Sequence, residues 1–373
     1  MTSESIYQRI GARPIINGRG PTTLAGGSLM EPEVLAAMAE ASTRFVDIEE
    51  LNRAVGQRIA EVTGAEAGLV TCGSAAGMVL AAAACVAGSN PERIAALPDS
   101  DGFPNEIVFH RAHRIMYDRM YRVGGGRLTL IGTWERTDPA ELEQAITDRT
   151  AAVAFHQSQY NGPGALPFEQ VVEIAHARNV PVFVDAASTL PPVSHLRIWI
   201  ERGADLVIYS GGKGIRGPAE SGLLAGRADL IEAARLNGSP NASVGRGMKV
   251  GKETMVGLWV ALERFLAHDH EADYRRHMAQ ADRLMAALGT RSDVRLTRND
   301  DQAIWPFPVI GVYPVDDRWN HRAVVQALIA GDPSIHLDAL RDRLQINTHW
   351  LEDDQIDVIL RRLTAELDAR RGA

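Results

Sequence analysis

From about residue 50 to residue 225 the chain alternates short apolar runs with amphipathic stretches, which excludes both all-helical and all-strand architectures. The apolar runs Ala67–Cys72, Glu106–His110, Arg127–Ile131, Ala151–Phe155, Val180–Asp185, Asp205–Ser210 and Ser221–Ala225 read as strands. Between them Ser74–Ala87, Ile115–Tyr121, Pro139–Ile146, Pro167–Arg178 and His195–Arg202 carry helical patterning. Strands that alternate with helices form a mostly parallel sheet, because each parallel return needs a crossover that then covers a face. The expectation is an α/β protein with a mostly parallel seven-stranded sheet and helices on both faces. Its ligand should lie beyond the carboxyl ends of the strands.

The run from Val250 to about Leu288 is helical in pattern, long enough to join two units. After it, Asp293–Thr297, Pro308–Tyr313 and Ser334–Leu337 read as strands, with His321–Ala330 and Asp353–Ala369 as helices. The predicted division is an N-terminal segment, 1–48, joining the small domain; a large ligand-binding domain, 49–255; and a linking helix with a small α+β domain, 256–373. Thr137-Asp138-Pro139-Ala140-Glu141 signals a helix start, with a capping side chain and proline in the first turn. Ala165-Leu166-Pro167-Phe168-Glu169 offers the proline and the acid without an obvious cap. The alanine-rich stretch around Gly77–Gly88 is too short to span a bilayer and suits a buried helix.

Apolar residues make up 45% of the chain and charged ones 23%, enough for a sizeable core. A net charge of −8 without a long basic block disfavours nucleic-acid and anionic-membrane partners. Two cysteines, Cys72 and Cys85, leave no disulfide framework, and no segment reads as a signal peptide or spanning helix. A cytoplasmic protein is expected.

Of 39 basic residues only Lys213, Lys249 and Lys252 are lysine. Codon bias explains the scarcity but not the clustering. An ammonium can shed its proton and become a nucleophile, whereas a guanidinium cannot. Lys213 lies in Ser210-Gly211-Gly212-Lys213-Gly214-Ile215-Arg216-Gly217-Pro218, a glycine-rich turn after an apolar run, and reads as a Schiff-base lysine. Three other strand ends carry chemistry. Thr71-Cys72-Gly73-Ser74-Ala75-Ala76-Gly77 runs from a strand into a small-residue helix start, where free N–H groups suit a phosphate. His110 and His113 stand at or past a strand end, and His113, opening the next element, is the one placed to stack on an aromatic ring. Asp185 ends a wholly apolar strand, where a carboxylate needs a cationic partner such as a protonated pyridine nitrogen; a helix N-cap is the alternative. In the lysine turn Ser210 can donate to a phosphate and Arg216 can hold an anion. No His-Glu-x-x-His spacing or cysteine set points to a metal, and none is expected. Gly124-Gly125-Gly126 lacks a dinucleotide fingerprint's setting, and neither Ser74 nor Ser210 has a Gly-x-Ser-x-Gly elbow.

These residues together resemble the fold-type I pyridoxal-phosphate enzymes, and within them the selenocysteine-synthase-like group that includes D-glucosaminate-6-phosphate ammonia-lyase. The resemblance runs over most of the chain. It is carried by Arg13-Pro14-Ile15-Ile16-Asn17, Gly26-Gly27-Ser28-Leu29-Met30, Val70 to Gly77, Val184-Asp185-Ala186-Ala187, Ser210 to Pro218, Leu236-Asn237-Gly238-Ser239-Pro240-Asn241 and Gly245 to Glu253. It implies pyridoxal 5'-phosphate as cofactor, Lys213 as the imine lysine, Asp185 on the pyridine nitrogen and His113 stacked on the ring. Gly73, Ser74, Ala75, Ala187 and Ser210 complete the implied cofactor contacts. Asn17, Arg216, Arg246 and Lys249 are substrate candidates, the last two either serving a neighbouring site in a homodimer or higher homo-oligomer or forming a surface basic pair. The chain departs from the group at Asn17–Thr23, at His156–Asn161 and at Asn347–Trp350, where substrate would be read. The acidic chain, with no added N-terminal RNA-binding unit, disfavours true selenocysteine synthase.

The expected reaction is α,β-elimination from a hydroxylated amino acid or amino sugar acid, giving a 2-oxo acid and ammonia. Retro-aldol cleavage, with His110 or His156 at the β-hydroxyl, racemisation and transamination are the enzymatic rivals. A cofactor-binding regulator without catalysis is the non-enzymatic one.

Overall fold

The computed structural model describes residues 5–301, 307–316 and 319–371. The chain divides into two compact units, one made of the residues up to Gly26 with those from Asp269 onward, the other of Gly27–His268.

Strands are numbered along the chain. The larger unit holds β2 (Ala67–Thr71), β3 (Glu106–His110), β4 (Arg127–Ile131), β5 (Thr150–His156), β6 (Val182–Asp185), β7 (Leu206–Ser210) and β8 (Gly222–Gly226); β1 (Ile15–Asn17) belongs to the smaller unit. The seven form one sheet in the order β2-β8-β7-β6-β5-β3-β4, with β8 alone antiparallel to its neighbours. The expected mostly parallel seven-stranded sheet is therefore present. Its two faces carry separate apolar layers: Val108, Val153, Phe155, Val184 and Val207 on one, Phe109, Ala154, Phe183 and Ile208 on the other. That alternation follows from the period of two along a strand. Burial of each large aliphatic side chain contributes about 1.5–3 kcal/mol. The alanine-rich helix Gly73–Ala87 is buried on nearly every side, as its composition predicts.

Helix starts follow their local chemistry. Asp138 caps Pro139–Ala145 in a reciprocal box with Glu141, accepting from Ala140 N at 3.0 Å while Glu141 accepts from Asp138 N at 2.9 Å. The stretch expected as a helix over Ile115–Tyr121 instead forms one over Arg119–Val123, with Asp118 as its N-cap residue and the Asp118 carboxylate paired with Arg114. The long helical run after Val250 is two helices, Lys252–Ala267 and His270–Gly289. His268 is extended and Asp269 caps the second helix by accepting from Ala272 N, so the break is a fresh N-terminus with Glu271 and Asp273 in its first turn.

The unit boundary also differs from the expected 48/49 and 255/256. Helix Pro32–Ser42 packs along Lys252–Ala267 within the larger unit. Gly257 makes the approach possible: a Cβ there would lie 2.7 Å from Met38 Cγ.

In the smaller unit β9 (Val294–Asn299), β10 (Val309–Pro314), β12 (Asp338–Ala339) and β13 (Leu344–Asn347) form an antiparallel sheet in the order β12-β13-β10-β9. There β1 pairs in parallel with β11 (Ser334–His336), while His270–Gly289, His321–Ala330 and Asp353–Arg371 supply helices. The strands and helices expected after residue 290 are all found; β12 and β13 were not foreseen. Among the described residues no helix is long and apolar enough to cross a membrane.

Helix Ile48–Thr63 lies on β2 through a glycine-to-glycine contact, since a Cβ on Gly56 would stand 2.1 Å from Gly68 O. Gly56→Ala should therefore lower unfolding free energy by about 1–3 kcal/mol through overpacking, measured by urea denaturation, whereas a helix-propensity effect alone would raise it.

Candidate active site

Six strands point their carboxyl ends the same way, so Thr71, His110, Ile131, His156, Asp185 and Ser210 finish on one edge of the sheet. Register then selects faces. His156 pairs with Asp185, and Asp185 with Ile208, so these side chains share the face of Ala154 and Phe183. Thr71 and Ser210 are both in register with Gly222 of the intervening β8. Gly222 is a close-approach glycine: its Cβ would fall 2.5 Å from Gly73 C and 2.8 Å from Ser74 N. Ser210 is thereby brought beside the start of helix Gly73–Ala87. Gly73 itself has φ +76°. Cys72, the N-cap, makes no capping bond through its side chain, and no side chain among the described residues caps that helix. Gly73, Ser74, Ala75, Ala187, Ser210 and Lys213 are all half-buried, a rim of partly accessible groups around a buried floor.

Asp185 is the floor, 3% exposed. Burial alone raises its pKa, but the His156 hydrogen bond and charge, the Ala187 N–H and the Lys213 charge outweigh burial and hold the carboxyl below its ordinary range. His156 Nδ1 lies 3.1 Å from Asp185 Oδ2, and Ala187 N donates to Oδ1 at 3.1 Å. A carboxylate only accepts, so Nδ1 of His156 carries the proton. Lys213 has its pKa lowered by desolvation, opposed by the attraction of Asp185. The two charges thus sense each other across the same edge.

His113 ends a short 3-10 turn after β3, 2% exposed, its ring 4.5 Å from that of Phe155 and edge-on to it. Burial, with the charges of His110 and His156, lowers its pKa to about 2, so it is neutral. Its Nδ1 accepts from the His156 N–H at 3.4 Å, which places its proton on Nε2.

Other candidates lie elsewhere. His110 follows Phe109 and points to the opposite face, its ring 6.3 Å from that of Phe155, fully buried and lowered to about 4 by desolvation. Its ring lies 5.2 Å from that of His113 in one aromatic cluster with Phe155. Arg216 is engaged internally: Nε donates to Leu29 O at 3.1 Å and NH1 to Glu31 Oε1 at 2.8 Å. Arg246 and Lys249 are exposed. Asn17, in the smaller unit, closes a turn by donating to Gly20 O and accepting from Arg19 N.

The sequence ends that strand at Phe155, puts His156 in a segment where substrate would be read and offers it as an acid or base at a β-hydroxyl; the structure carries β5 on to His156 and turns that side chain onto Asp185. The signal was available in principle, because a histidine and an aspartate ending two apolar strands meet if the strands are adjacent and in register. Removing this partner has a defined pH signature. A depressed folded pKa contributes stability above the unfolded value, 3.8, that is lost as pH falls through the folded one. His156→Leu should therefore cost about 2 kcal/mol near pH 7. Denaturation series at descending pH should show the gap to wild type narrowing only as Asp185 becomes protonated; a gap constant with pH would remove the pairing as its cause.

Comparison with known proteins matches the profile of the family SelA: L-seryl-tRNA selenium transferase over residues 22–288. A 5'-C-glycyluridine monooxygenase-decarboxylase from a Streptomyces species is 34% identical over 98% of this chain and 93% of its own length. D-glucosaminate-6-phosphate ammonia lyase from Salmonella typhimurium is 35% identical, covering 82% of each. A solved structure of D-glucosaminate-6-phosphate ammonia-lyase superposes with TM-score 0.84 at 30% identity, over 99% of this chain and 100% of that one. The fold is that of the fold-type I transferases.

Proposed function

The chain belongs to the SelA: L-seryl-tRNA selenium transferase family, and from that premise we propose that it is a pyridoxal-phosphate-dependent lyase that eliminates water across Cα and Cβ of a 2-amino-3-hydroxy acid derived from a sugar. The observation that carries this reading is the pair at the sheet edge: an ionised, buried Asp185 and a half-buried Lys213 whose amine is made less basic by burial. The residues fit the cofactor. The helix start at Gly73–Ala75 with Ser210 beside it offers N–H and hydroxyl donors to a phosphate, Asp185 offers its charge to a pyridinium, and neutral His113 offers a flat ring. Bound there, pyridoxal phosphate supplies an electron sink conjugated to Cα.

The chain's own groups do the rest. Lys213 Nζ, freed on substrate binding, takes the Cα proton. With His110 fully buried and the His156 ring committed to Asp185, the same Nζ then delivers that proton to the departing β-hydroxyl, which leaves as water. The enamine that results hydrolyses to a 2-oxo acid and ammonia. Retro-aldol cleavage is less well served, since it needs a base at the β-hydroxyl that neither histidine provides. D-glucosaminate-6-phosphate, the substrate named for one relative, is an amino sugar acid of this class. A second reading rests on the near-complete coverage of the monooxygenase-decarboxylase relative: oxidative decarboxylation of a glycyl compound, again on an amino acid attached to a sugar.

The proposed setting is the cytoplasm and the proposed assembly a homodimer or higher homo-oligomer. Leu29, Leu35, Phe45 and Val46, close together in the chain at the start of the larger unit, are all exposed, and a partner copy would cover them. Light scattering should return at least twice the 40.5 kDa chain mass, and Phe45→Glu should reduce it.

Ammonia and 2-oxo acid release should be followed from D- and L-β-hydroxy amino acids and amino sugar acids, with oxygen uptake and carbon dioxide release in parallel. Wild type is expected to release ammonia without consuming oxygen, and Lys213→Ala to be at least about 10³-fold slower. Oxygen consumed in step with carbon dioxide would move the assignment to the second reading; aldehyde release or racemisation without ammonia would end the lyase reading.

A further inference from the structure

Four glycines, Gly211, Gly212, Gly214 and Gly217, surround Lys213. Three of them stand where a side chain has no room, and at Gly217 one would be tight. A Cβ would lie 2.1 Å from Ser221 Oγ at Gly211, 2.6 Å from Ala219 Cα at Gly212, 2.3 Å from Leu190 O at Gly214 and 3.2 Å from Gly211 O at Gly217. None of the four has the left-handed backbone that favours glycine. The one residue of the turn that does is Arg216, at φ +62°. A strained, Cβ-bearing residue at the single position where glycine would be relaxed points to a use for its side chain.

That side chain reaches out of the turn. Its Nε donates to Leu29 O at 3.1 Å and its NH1 to Glu31 Oε1 at 2.8 Å, while its own N–H donates to Lys213 O at 3.0 Å. Glu31 is mostly buried and is also bonded by Arg264 at 3.3 Å, from helix Lys252–Ala267, and it is the N-cap residue of helix Pro32–Ser42. Segment 27–31 meanwhile lies on the turn: a Cβ at Gly27 would be 2.9 Å from Gly212 O, and Ser28 Oγ approaches Gly217 O at 3.5 Å. A glycine-rich turn has few side chains with which to hold itself, and Lys213 must present its amine in one place.

We infer that Arg216 is a positioning residue, a strap that fixes the Lys213 turn to Glu31 and the Leu29 carbonyl, and not a receptor for a substrate anion. The inference rests on the assignment of Lys213 as the residue that binds the cofactor. Reactivity at the lysine amine then depends on an ion pair whose carboxylate comes from a segment more than 180 residues away in the chain.

The test uses Arg216→Gly, which relaxes the backbone and removes the strap, and Glu31→Gln, which leaves the turn's sequence intact. Hydrogen–deuterium exchange of the apoprotein is read at peptides covering 211–221, and covalent capture of pyridoxal phosphate at Lys213 is timed by borohydride trapping and peptide mapping across pH. Both variants should exchange faster in that segment and capture the cofactor at least about tenfold more slowly, because small misplacements of a reacting group are costly. The double variant should be no worse than either single one. In turnover kcat should fall with KM little changed. Unchanged exchange and capture in Glu31→Gln, or a raised KM in Arg216→Gly with capture at the wild-type rate, would overturn the strap. Wild type that fails to capture pyridoxal phosphate at Lys213 would overturn the cofactor assignment itself, whatever the variants do.

Discussion

A carboxylate at the end of a buried apolar strand is the interaction on which this site depends. Asp185 is surrounded by the sheet's own hydrophobic layers, and burial by itself pushes its carboxyl toward the protonated form. Three features keep it charged: the His156 ring, the Ala187 peptide N–H and the amine of Lys213. Each comes from a different strand end or the turn after it, and they meet only because β5, β6 and β7 run parallel and in register. The parallel sheet is thus more than a frame. It is the device that gathers one acceptor and its donors at a single edge, where the helix start at Gly73 adds unsatisfied N–H groups.

Much of this was legible in the sequence. The seven strands of the large sheet were each found to within about two residues, because apolar runs bounded by turn residues leave little latitude. Lys213, Asp185, His113 and the Gly73–Ala75 turn were all read correctly as strand-end residues, and the structure brings them to one edge. The scarcity of lysine was a weaker guide than it looked. Lys249 is exposed and the half-buried Lys252 pairs with Glu253 at a helix start, so the nearby charge of Asp185, not rarity, is what separates Lys213 from the other two.

What stayed illegible depended on contacts distant in the chain. Arg216 looks like an anion receptor in a one-dimensional reading, since nothing local announces that Glu31 will fold back onto it. His110 and His113 are three residues apart and chemically alike, and the structure packs both rings against Phe155, 5.2 Å from each other, so what distinguishes them is that His113 Nδ1 accepts from the His156 N–H. The glycines carried a similar hidden content. Nothing in the sequence singles out Gly222 or Gly56, yet both mark places where one backbone lies against another.

Two relatives at 34% and 35% identity are named for different reactions, a monooxygenase-decarboxylase and an ammonia lyase, so one scaffold accommodates more than one chemistry. The loop after β5 is knitted to the loop after β4: Gly164 N donates to Trp134 O at 3.0 Å, Thr137 Oγ1 to Gly164 O at 2.6 Å, and Gly162 is pressed against the Trp134 ring. The same loop ties back to the floor of the site, because Asn161 Nδ2 donates to His156 O at 2.6 Å, and His156 holds both Asp185 and, through its N–H, His113. A substitution at Ser158–Asn161 that altered substrate choice would therefore also shift the residue that keeps Asp185 ionised. That loop is coupled by three hydrogen bonds to the electrostatics of the sheet edge at Asp185, and this coupling gives a physical route by which a change in the loop reaches the buried carboxylate.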